Sequence, residues 1–158
     1  MSFLRFLMLL TLVVWVGGII FLSFVEAPMA FGVLPSRHLA GTVVGRSLGI
    51  LHWLGLIAGL IFLACSLLDS RLRTGTTHTL AARHILICAM LLLTAVSQFG
   101  VSSRMAVLRA SFGDIDSVPA DNPGRLEFEA LHVWSVRLEV TVLVLGLVTV
   151  YLVSRPLP

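Results

Sequence analysis

Three runs of the chain carry no charge over the length of a membrane span. They are Phe6 to Val25, between Arg5 and Glu26; Ser47 to Leu68, between Arg46 and Asp69; and His84 to Ser103, between Arg83 and Arg104. A hydrocarbon core asks for about 20 consecutive apolar residues, so each run predicts a spanning helix. The fourth apolar run is uncharged only from Val140 to Ser154, which is too short. To span, it must begin near residue 133 and carry Arg137 and Glu139 to membrane depth. The predicted spans are therefore about 6–25, 47–68, 84–103 and 133–153, in one four-span unit over residues 1–158.

The first run follows Arg5, as the core of a signal peptide would. Its apolar stretch exceeds the usual length and no clear small-x-small cleavage site follows, so it reads as a retained span. Ala27 to Arg46 holds Pro28, Gly32 and Pro35 and reads as an interfacial turn or a short re-entrant piece. Asp69 to Arg83 is short and polar. Residues 105–126 form the longest polar loop. At its end Asn122 and Pro123 suit the N-cap and first position of a helix, so the fourth helix should begin outside the membrane.

Composition fits the pattern. The chain is 58% hydrophobic and 12% charged, where soluble domains carry about 25% charge, and its mean hydropathy is +1.02. The expected fold is all-α, an integral membrane four-helix bundle. The net charge of +3 raises nucleic acid as a partner. Every basic residue is arginine, however, and the arginines punctuate apolar runs and form no basic face. Nucleic acid is excluded. The expected partner is the bilayer, with a second copy or a larger membrane complex as further partners. Arginine is nearly balanced between the two sides. The compact Arg71–Arg73–Arg83 loop favours a cytoplasmic second loop and both termini inside, in a bacterial inner or plasma membrane.

Polar residues gather at one end of the predicted bundle. Arg125, Glu129, His132, Ser135 and Glu139 follow steps of 4, 3, 3 and 4, one stripe of helix four. Gly41, Gly45, His52 and Gly59 align on helix two; Trp15, Gly18, Leu22 and Glu26 align on helix one. Gln98 and Arg104 end helix three on the same side. Turned inward, these stripes would bring His52, His132, Glu26 and Glu139 within reach of one another. The candidate cluster is Glu26, Arg46, His52, Gln98, Arg104, Glu129, His132, Ser135, Arg137 and Glu139. Plainer readings stand beside it. The histidines can be interhelical hydrogen bonders, Gly17, Gly18, Gly41, Gly45 and Gly59 can let helices approach, and Arg137 can snorkel to the interface. The carboxylates resist that treatment, because each costs about 2.5–3.5 kcal/mol at span depth and needs a partner. Arg46, Arg104 and Arg137 are the arginines at hand.

No cofactor is the first expectation, with haem b or a metal ion as the alternative. Haem would sit between His52 and His132. A metal would use Cys65, His84 and Cys88 at the other end, since thiolate and imidazole suit Cu(I) or Zn(II). The chain has no CxxCH, HExxH, Walker or GxGxxG motif.

Several motifs occur in order: WVGGIIF (Trp15 to Phe21), APMAF (Ala27 to Phe31), LPSRHLAG (Leu34 to Gly41), SRMAVLR (Ser103 to Arg109) and FEALHVWS (Phe128 to Ser135). Together they resemble the small four-helix membrane family of transmembrane protein 205, catalogued as a domain of unknown function. The resemblance spans nearly the whole chain and carries over to Gly17, Gly18, Pro28, Phe31, Leu34, Pro35, Gly41, Phe128, His132 and Ser135. Where relatives often have an amide one turn after the serine, this chain has Glu139. The resemblance implies the fold and no reaction. The expected function is non-enzymatic: a transporter-like unit or accessory subunit with a site for an ion, proton or small solute. A haem- or metal-binding redox protein and a structural subunit of a larger complex are the alternatives.

Overall fold

The computed structural model describes residues 3–74, 82–114 and 117–154. Four helices among them are long and apolar enough to cross a membrane. They are α1 (Phe3–Val33), α2 (Arg37–Thr74), α3 (Ala82–Phe112) and α4 (Pro123–Ser154). No strand occurs among the described residues. The protein is an all-α four-helix bundle and a multi-pass membrane protein.

The helices outrun the apolar segments. At about 1.5 Å per residue, each exceeds the ~30 Å hydrocarbon core. Helix α1 passes through a π-helical turn, Leu22–Glu26, and continues to Val33. Ala27–Val33 is thus helix, where a turn or re-entrant piece was expected. The widened turn stands just before Pro28, whose ring would clash with a regular preceding turn. Leu34 is extended, as the residue before a proline should be. Ser36 Oγ then accepts from the Leu39 amide at 3.1 Å and caps α2.

The polar loop is shorter than the 105–126 expected. Helix α3 runs on to Phe112 and ends at Gly113, whose φ of 68° only glycine adopts freely. Asn122 Oδ1 accepts from the Gly124 amide at 2.9 Å and opens α4 at Pro123, as the sequence predicts. Ile115, Asp116 and residues 75–81 of the short polar loop lie outside the described residues, as does Arg155.

The helices alternate in direction. We call the end with Val33, Arg37, Phe112 and Pro123 the polar end, and the other the terminal end. Helices α1 and α3 each pack on α2 and α4, so α2 and α4 face one another across a diagonal. Met8, Leu12, Trp15, Ile19, Phe62, Ile87, Met90 and Val142 fill the centre, while Val13, Leu60, Leu92 and Val144 point outward. In a membrane the outward set meets acyl chains, so it is normal here.

Trp15 sets the spacing of α1 and α2. A Cβ on Gly55 would stand 2.3 Å from Trp15 Nε1, and one on Gly59 2.8 Å from its Cζ3. Small residues therefore let a large ring seat flat against a helix backbone. Gly18 does the same for Leu51. Gly17 meets nothing within 4 Å, so it is not a contact between helices.

Because the indole is rigid and buried, Gly55→Ala should lower stability by about 1–3 kcal/mol through overpacking. Gly17→Ala should leave it unchanged. Thermal unfolding in detergent checks both, and equal melting temperatures would count against this packing.

Candidate functional site

Three side chains meet in the interior near the polar end. His52 Nδ1 lies 2.8 Å from Gln98 Oε1, and His52 Nε2 lies 2.6 Å from Glu139 Oε1. His52 is 2% exposed and Glu139 9%. Helix α2 supplies the imidazole, α3 the amide and α4 the carboxyl, so the histidine bridges two helices at once. His52 is six residues past Arg46, and Gln98 six before Arg104. Each is therefore roughly 9 Å inside the charged boundary of its own helix. Gln98 belongs to a second π-helical turn, Ser97–Ser102, whose distortion Ser103 Oγ closes by donating to Gln98 O at 2.9 Å. Such turns often sit at functional sites.

The geometry limits the protonation states. With the Gln98 oxygen facing it, Nδ1 carries a hydrogen and donates. Nε2 then either donates to an ionised Glu139 or accepts from a protonated one. In both cases one proton lies between Nε2 and Oε1, and the pair is neutral overall. A neutral pair is what a low-dielectric interior tolerates.

The rest of the expected cluster is dispersed. His132 is exposed. It shares a helix face with Glu139 but lies seven residues away, about 10 Å further out. At that level α1 has turned to α2 and no longer packs along α4, so nothing covers the imidazole. Haem between His52 and His132 does not fit: the two rings differ in depth, and both His52 nitrogens already have protein partners. Glu26 is half-buried with no polar partner among the described residues, and Arg46 is exposed. Ser135 is buried one turn from Glu139.

None of the three expected arginines meets Glu139. Arg104 pairs with Glu127 at 2.6 Å, and Arg137 stacks its guanidinium on Trp134 at 5.4 Å. Glu129 pairs with Arg125 at 3.1 Å. Beyond the apolar segments, the Arg104 hydrogen bond holds the Glu127 carboxyl below its usual value.

The metal reading fails on geometry too. His84 Nε2 lies 2.8 Å from Ser66 Oγ. Cys65 is buried, Cys88 faces outward, and no three-ligand group exists among the described residues.

Arg109 escaped the sequence reading. Its Nη1 donates to Gly41 O at 2.7 Å, and its guanidinium lies 5.3 Å from the Phe128 ring centre. Cβ atoms on Gly41 and Gly45 would stand 3.0 and 3.1 Å from it. These two glycines therefore make room for a side chain from α3, where close helix contact was expected. No single-helix pattern signals that, because the glycines and the arginine lie on different helices.

A family model matches residues 10–111, and its description is domain of unknown function (DUF4149). The chain belongs to this family. No curated protein and no solved structure matches it. The match takes in His52 and Gln98 of this DUF4149 protein and stops before α4, which supplies Glu139.

Removing one member of a buried pair strands the other, at a cost of about 3–5 kcal/mol. His52→Ala and Glu139→Ala should each lower stability by that order, and the double change to leucine should recover most of it. Thermal unfolding of the four proteins in one detergent tests this; single variants as stable as the wild type would argue against a coupled pair.

Proposed function

We propose that this DUF4149 protein is a non-enzymatic membrane protein that binds a proton at the Glu139–His52 pair, as a transporter-like unit or an accessory subunit. One observation carries the reading. A carboxyl and an imidazole share a hydrogen bond of 2.6 Å inside the bundle, with no arginine against them among the described residues. An arginine would hold the carboxylate permanently ionised. Imidazole and carboxyl are both proton-exchanging groups, so this pair can load and release a proton. Ionisable groups at such depth mark ion and proton pathways in membrane proteins. Gln98 would fix the ring orientation, as an outer partner does for a catalytic histidine.

The finer assignments rest on the sequence alone. The motif order supports kinship with transmembrane protein 205. The arginine-rich short loop supports both termini on the cytoplasmic side of a bacterial inner membrane.

Infrared titration of the carboxyl band in nanodiscs is the direct test. A band lost in Glu139→Gln, with a midpoint that moves in His52→Ala, is expected. A Glu139 band that titrates as a free carboxylate and ignores His52 would sink the proposal.

A further inference from the structure

The terminal half of the interior holds a second polar group. His84 and Ser66 are 4% and 0% exposed and joined across α2 and α3. Asp69 and Ser70 are buried on the same stripe of α2, three and four residues from Ser66. The register is regular. Ser66 is fourteen residues past His52, and His84 fourteen before Gln98. Both steps are about 21 Å, so the same two antiparallel helices carry a histidine cluster near each end.

Between the clusters the buried hydroxyls divide into two kinds. Thr11 and Thr149 return their hydrogens to their own helices, at Met8 O and Leu145 O. Ser97 and Thr94 are 0% and 1% exposed, and neither hydroxyl has a hydrogen-bond partner among the described residues. A buried polar atom without a partner costs about 1–3 kcal/mol, and ordered water is its usual remedy. Both hydroxyls lie on α3 beside or below Gln98, towards the terminal end. Thr94 is about 6 Å inward of Gln98, and Thr149 about 15 Å inward of Glu139. Met90, eight residues before Gln98 and so about 12 Å inward of it, is fully buried in the interval between them. Met90 Cε stands 3.2 Å from where a Cβ on Gly146 would lie. An unbranched thioether is the side chain best able to swing aside.

We propose that the protein conducts protons across the bundle: water held by Ser97 and Thr94 links the Glu139–His52 site to a second exchanging group, His84 with Ser66, past a constriction at Met90. This rests on the proton-site reading above. Each group takes up one proton and releases another, so one proton enters at the polar end and one leaves at the terminal end. No electron moves and no bond other than to hydrogen changes.

The test is proton flux into proteoliposomes holding a pH dye, driven by a potassium diffusion potential. Wild type should exceed empty vesicles. Thr94→Val with Ser97→Ala keeps the shape of both side chains and should cut flux about tenfold, as should His84→Ala. Met90→Ala should raise it, and the rise should vanish when Glu139→Gln is added, which separates it from a non-specific leak. Wild-type flux at the empty-vesicle level, or full flux in the hydroxyl double variant, would overturn the relay while leaving the infrared titration of Glu139 intact. Full flux in Glu139→Gln would instead reject the proton site, and the relay with it.

Discussion

A carboxyl group among hydrocarbon side chains has few acceptable states. It can be protonated, or it can be ionised beside a positive partner, and either way its hydrogen-bonding capacity has to be met. In this bundle Glu139 solves the problem with His52, across the diagonal between α2 and α4. Those two helices do not pack against each other along their length, so side chains reaching through the centre must join them. Gln98 completes the arrangement from α3. One polar contact thereby ties three helices at a single depth. A bundle in lipid has little hydrophobic force to hold its helices together, so a specific buried contact sets register to a degree that apolar packing does not.

Trp15 complements this from the remaining helix, α1. Its indole is pressed against the bare backbone of α2 at Gly55 and Gly59, on the terminal side of His52. The tryptophan fixes how closely α1 approaches, and the His52 contacts fix how α3 and α4 are set. The site therefore stands on rigid helices and not on loops. At the polar end the bundle opens. There α1 stays with α2, α4 stays with α3, and His132 is left uncovered. Arg109 spans this looser region, tying α3 to the Gly41 carbonyl on α2 and covering Phe128 on α4. Its own burial lowers its pKa from the ordinary value, with no carboxylate opposing the shift.

Charge and apolarity along the chain were enough to determine the helix count, the membrane setting and the start of α4. Those properties are local: a span is defined by its own twenty or so residues, and a cap by its neighbours. Depth was legible only in part: the polar end of the bundle was identified, but His132 was expected within reach of His52 and lies about 10 Å further out. What remained hidden was pairing. A helical stripe says which residues share a face, and it cannot say what stands opposite. The stripe from Arg125 to Glu139 is real, yet its outer half meets no helix, so only Ser135 and Glu139 are buried. The glycines Gly41 and Gly45 matched the pattern for close helix contact, and tertiary structure gave their space to a guanidinium from another helix. Glu139 received a histidine where arginines were expected, because Arg104 and Arg137 extend towards the charged boundary, where Glu127 and Trp134 hold them. Partner choice depends on the relative rotation of whole helices, and no single segment encodes it.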